Sequence, residues 1–164
     1  MIEGVLLTIM VMCGILTIIS LFMIHREGKV FNTSIKNLVI PKNQYVELVI
    51  EWCHNNLKNH NNKKPTVTVK YHQNKKVHGI YNPSTHEIIV YVNNHPTIRE
   101  LTNTVIHEYI HARQKNRSFN RLYNEQTNTV GYWNNPYEIE SRTISKKKEE
   151  QCIKYITSRH KVLQ

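Results

Sequence analysis

Aspartate is missing from this chain altogether, and its twelve acidic residues are all glutamate. Any mechanism built on an Asp is thereby excluded, which leaves Glu as the only carboxylate for acid–base or metal chemistry. Cysteine is scarce. Cys13, Cys53 and Cys152 are an odd number without CxxC spacing, so neither a disulfide framework nor a zinc ribbon is indicated, and free thiols suit a reducing compartment. A single alanine, Ala112, stands in a chain rich in Asn, Lys and Ile, a composition that fits an AT-rich genome, as in many viruses and some bacteria. Acids are outnumbered too: 22 Lys and Arg against 12 Glu give a net charge of +10, which leaves room for anionic partners such as lipid headgroups or nucleic acid. A length of 164 residues allows one domain with a tail or anchor.

Charge is absent from residues 5–24, VLLTIMVMCGILTIISLFMI, although the chain as a whole has a mean hydropathy of −0.50. A helix of that length rises about 30 Å, the thickness of a bilayer's hydrocarbon core. The expectation is a transmembrane anchor over residues 1–24, a juxtamembrane linker over 25–37 and a folded domain over 38–164. A cleaved signal peptide is the rival reading, but Glu3 without Lys or Arg precedes the run, and no small-x-small site follows it. Arg26 and Lys29 after the run place the domain on the cytoplasmic side of a single-pass membrane protein.

Within 38–164 the pattern is α+β. Tyr45, Val46, Val49, Ile50 and Cys53 recur at helical spacing and predict an amphipathic helix over 43–57, followed by a polar loop from His54 to Pro65. Thr66–Tyr71, Val77–Tyr81 and Ile88–Val92 read as three strands of a small antiparallel sheet, with Asn82-Pro83-Ser84 as a turn. Thr97-Ile98-Arg99-Glu100 is a capping box that opens a helix carrying Ile98, Leu101, Val105, Ile106, Tyr109 and Ile110 on one face. Residues 115–133 read as polar and irregular. Asn135-Pro136 then opens a last helix that runs from Tyr137 towards residue 160.

Chemistry concentrates in His107-Glu108-Tyr109-Ile110-His111. Histidines at i and i+4 project from one helical face, where both imidazoles can reach a single Zn²⁺ at about 2.0–2.1 Å. Glu108, beside the first ligand, can take a proton from an activated water and return it to a leaving amine. A catalytic zinc takes a third protein ligand, and downstream stands Pro136-Tyr137-Glu138-Ile139-Glu140-Ser141.

With these two segments the chain resembles the gluzincin metallopeptidases, especially the single-domain minigluzincins, over roughly residues 43–160. In that family a glutamate in an ExxA or ExxS pattern on a second helix completes the site, and Glu138 with Ser141 matches it. A small residue one turn after the ligand lets the two helices approach. Glu140 would point about 200° away around the helix. The resemblance implies a minimal zincin domain of helix, three-stranded sheet, HExxH helix and glutamate helix. It further implies one catalytic Zn²⁺ on His107, His111 and Glu138, with Glu108 as general base, and hydrolysis of peptide bonds. An oxyanion donor is also needed, for which Tyr132, Tyr137, Tyr155 and His160 are the candidates. Zincins of this kind bind an extended peptide substrate along the sheet's edge strand, here pointing to Glu87, Ile88, Ile89, Val90, Tyr91 and Val92.

Plainer readings stand beside this one. His107 and His111 would be surface histidines, Glu138 an acid placed at a helix N-terminus by the macrodipole, and the remaining histidines His54, His60, His72, His78, His86 and His95 solvated. Lys146-Lys147-Lys148-Glu149-Glu150 would be a solvated helix face. Two other functions compete with an anchored zinc endopeptidase. An SprT-like, DNA-associated protease would use the positive charge, but it takes a third His shortly after the motif, and no His lies between 112 and 159. A non-catalytic membrane-tethered interaction protein, possible for a virus, would keep the zincin scaffold alone. Oligomeric state is not encoded in any pattern here.

Overall fold

A computed structural model describes residues 2–57, 63–74, 76–114 and 119–163. Its elements run α1 (Ile2–Phe31), α2 (Lys42–Asn56), β1 (Thr66–Lys70), β2 (Gly79–Asn82), β3 (Glu87–Tyr91), α3 (Ile98–Gln114), α4 (Phe119–Val130) and α5 (Pro136–Arg159), with short 3-10 turns at Ile35–Asn37, Val92–Asn94 and Tyr132–Asn134. Of the loop expected from His54 to Pro65, residues 54–56 belong to α2, and 58–62, His60 among them, lie outside the described residues.

The apolar positions singled out by helical spacing become the core. Tyr45, Val49, Ile50 and Cys53 of α2 meet Leu101, Val105, Ile106, Tyr109 and Ile110 of α3, all fully buried, and Cys152, Ile153 and Ile156 of α5 close the same cluster. Each such side chain contributes about 1.5–3 kcal/mol by leaving water. The capping hydroxyl is in place, with the Glu100 N–H donating to Thr97 Oγ1 at 3.2 Å. Asn135 caps α5, its side-chain oxygen accepting from the Tyr137 N–H at 3.0 Å.

Four expectations are corrected. First, among the described residues no helix is long and apolar enough to cross a membrane. The transmembrane anchor over 1–24 therefore falls, and the single-pass localisation with a cytoplasmic domain falls with it. Second, residues 25–37 are not a linker outside the fold. Phe31 and Ile35 are buried in the core, and Arg99 and Lys154 lie over the Phe31 ring at 5.2 and 5.7 Å.

Third, the sheet is mixed rather than antiparallel. Its order is β1-β3-β2, with β1 parallel and β2 antiparallel to β3. Glu87–Val92 is thus no edge. A nearly continuous apolar run such as Ile88-Ile89-Val90 suits a strand inside the sheet with both faces at least partly covered. Fourth, 115–133 is not irregular: α4 occupies most of it, and residues 115–118 lie outside the described residues. Its signal was present in Phe119, Leu122, Tyr123, Gln126 and Thr127, a helical period masked by polar residues.

Two residues read as solvated are buried as well. Glu149 is held by Arg99 at 3.3 Å, Lys146 at 3.0 Å and the Asn103 amide at 2.7 Å. His95 packs edge-on against His78 at 5.1 Å with Nε2 3.0 Å from Thr104 Oγ1. Burial, then the neighbouring His78, lowers the pKa of His95 from 6.5 to about 4. Above pH 6.5 the ring is neutral folded or unfolded; between 6.5 and 4 only the unfolded chain binds the proton. Stability should therefore fall on acidification through that window, by at most roughly 3 kcal/mol. Urea unfolding at pH 7 and pH 4.5 checks this. The difference should shrink in His95→Gln, and an equal difference in both proteins would refute the assignment.

Candidate metal centre

Position within α3 decides what the HExxH segment can do. Val105, Ile106, Tyr109 and Ile110 face the core, so His107, Glu108 and His111 turn together towards the cleft between α3, β2, α4 and α5. Helix α5 packs along α3 more extensively than any other pair of elements. Ser141 and Ser145 are buried in this contact, and their small side chains permit it.

That approach delivers Glu138. Its carboxylate is 2% exposed, with Oε2 3.2 Å from His107 Nε2 and Oε1 3.2 Å from His111 Nε2; the two Nε2 atoms are 3.1 Å apart. A tetrahedral ion with bonds of about 2.05 Å separates its ligands by about 3.3 Å, so these three side chains are already spaced as ligands of one ion. His111 Nδ1 lies 2.8 Å from Gln114 Oε1. Donation from Nδ1–H to that carbonyl fixes the tautomer that leaves Nε2 as a lone-pair donor towards the site. Glu138 Oε2 is buried without a hydrogen-bond partner, an orphan that a cation would satisfy. His107, His111 and Glu138 together could hold a metal ion.

The two carboxylates are driven in opposite directions. For Glu138, burial favours the neutral form, but the adjoining imidazoles of His107 and His111 and the Tyr123 hydroxyl outweigh it and hold the carboxyl well below the usual range. Glu108 is raised instead, chiefly by burial and partly by the charge of Glu138, against the pull of the two histidines and a hydrogen bond from the Tyr81 backbone N–H. One acid is fixed as an anion and the other is placed to exchange a proton.

Tyr123 went unnoticed in the sequence. Its hydroxyl donates to Glu138 Oε1 at 2.6 Å, and its ring stands edge-on to His111 at 6.0 Å. Phe119 covers His111 beside it at 6.3 Å. Asn135 ties this wall to α5, its amide donating to the Tyr123 carbonyl at 3.1 Å and to Thr127 Oγ1 at 2.8 Å. Of the oxyanion candidates, Tyr132 lines the cleft, and burial together with Glu138 and Glu108 keeps its phenol protonated far above neutrality. Tyr137 turns into the aromatic stack on Phe119 and Tyr123. Tyr155 and His160 sit at the far end of α5 and contribute nothing to the cleft lining. Glu140 is exposed and paired with Arg113 at 3.0 Å, as its position around the helix requires.

The cleft holds about 330 Å³ and is walled on one side by β2 through Gly79, Ile80 and Tyr81. β2 pairs only with β3 among the described residues, so the sheet edge beside the histidines belongs to β2. Comparison with known proteins returns no matching family model, curated protein or solved structure.

Gly79 is where β2 and α3 come closest. A Cβ there would stand 2.8 Å from Thr104 Cγ2 and 3.0 Å from Glu108 Cγ. Gly79→Ala should therefore destabilise the fold by about 1–3 kcal/mol and displace Glu108 while leaving the three metal-facing groups in place. Thermal melting with and without added Zn²⁺ tests this. An unchanged melting temperature, or loss of metal-induced stabilisation, would contradict it.

Proposed function

We propose that the chain is a zinc-dependent endopeptidase of gluzincin type. The reading rests on one observation above all: Glu138 reaches His107 and His111 from a second helix at ligand spacing, while Glu108 stands free of that triangle in the same cleft. Zinc suits a set of two imidazoles and one carboxylate, and when bound it supplies the Lewis acidity that activates water and polarises a carbonyl.

The rest of the chemistry belongs to the chain. Glu108, raised by burial, takes a proton from the attacking water and returns it to the leaving amine. Tyr132, protonated at neutral pH, donates to the oxygen on which charge develops. Tyr123 is already committed to Glu138 and orients that carboxylate. The unpaired edge of β2, in place of Glu87–Val92, supports an extended peptide as substrate, since main-chain hydrogen bonds to an edge ask little of its sequence. Ile80, Pro83, Phe119 and Tyr123 offer one arm of the cleft to an apolar side chain.

Purified full-length protein should carry one zinc per chain, lose it to a chelator and lose peptide cleavage with it. Glu108→Gln should retain the metal and cut a peptide library about 10²–10⁴-fold more slowly. Absence of bound metal sinks the proposal, and cleavage undiminished in Glu108→Gln removes Glu108 from the mechanism. Metal retained without cleavage in either protein would favour the non-catalytic scaffold.

A further inference from the structure

Arg142 lies one turn beyond Glu138 on α5, and no step above uses it. Its guanidinium reaches both the metal centre and the turn that covers it. Nη2 donates to the Trp133 carbonyl, and the group lies over the rings of Trp133 at 5.2 Å and Tyr132 at 6.0 Å. Nη1 stands 3.7 Å from Glu138 Oε2. That is an ion pair but too long for a hydrogen bond, and both atoms are buried without another hydrogen-bond partner.

Within the turn, the Asn134 and Asn135 N–H groups donate to the Gly131 and Tyr132 carbonyls at 3.3 Å and the Asn134 amide to the Val130 carbonyl at 3.2 Å, bonds that close the turn but do not tie the Trp133 indole to α5. The turn begins at Gly131, whose φ of 79° only glycine adopts freely, and Trp133 is 72% exposed. An indole so far out of the core is fixed mainly by the cation beneath it and by its own carbonyl.

We propose that Arg142 is a positioning residue that pins the Tyr132–Trp133 turn across the cleft and ties it to Glu138. On the peptidase reading above, it thereby sets the Tyr132 phenol over the reacting carbonyl. A planar fork can bond a carbonyl, stack on an indole and face a carboxylate at once; a lysine ammonium cannot.

Arg142→Lys and Arg142→Gln in the full chain test this, with a peptide spanning residues 130–136 followed by hydrogen–deuterium exchange. Exchange should accelerate about 5–10-fold in both variants, zinc affinity by chelator competition should fall about 10-fold, and kcat should drop about 10–100-fold with KM changed less than about threefold. Unchanged exchange in a folded variant overturns the proposal, as does full recovery of exchange and zinc affinity in Arg142→Lys, which would reduce the residue to its charge. Exchange and affinity are read without catalysis. A chain that binds zinc but cleaves nothing thus defeats the peptidase reading and still decides the role of Arg142.

Discussion

Everything in this fold that bears on chemistry depends on how closely α5 can lie against α3. A glutamate side chain is short, so a carboxylate on one helix reaches two imidazoles on another only if the backbones approach to near the minimum that side chains permit. Ser141 and Ser145 supply the room, and Asn103 with Glu149 and Arg99 laces the far end of the same contact. The polar lacing matters as much as the apolar packing. A buried Glu149 without its partners would cost several kcal/mol and force the helices apart.

That geometry also sorts the two acids. Glu138 enters a ring of polar groups from two other elements, His107 and His111 on α3 and Tyr123 on α4, and is fixed as an anion. Glu108, one residue along from His107, points instead at β2, where the Tyr81 backbone N–H bonds it and burial prevails. Identical side chains a short distance apart thus acquire different protonation behaviour from their surroundings alone.

Much of this was legible in the sequence where a strong period or a fixed spacing carried it. The apolar face of α3, the core side of α2 and the capping residues were visible because each follows from local rules; His107 and His111 stood out by their i, i+4 spacing, and Glu138 only through the resemblance to a known family. Sheet order was not, since pairing partners are set by long-range contacts; only the unbroken Ile88-Ile89-Val90 run hinted that β3 is central. Helix α4 hid behind Asn, Gln and Thr, which carry little hydropathy signal yet make the hydrogen bonds that dock it. The membrane expectation over 5–24 rested on the length of an uncharged run and its flanking charges, which say nothing of how the chain after it docks, as Phe31 and Ile35 do in the core.

Cys53 on α2 and Cys152 on α5 end up in the same interior cluster, while Cys13 is exposed. Burial pushes the pKa of both interior thiols far above that of a free cysteine, so neither forms a thiolate that could react with an electrophile while the core is shut. The chain therefore carries its own opening gauge: one thiol answers in the native state, and the other two answer only when α2 and α5 part.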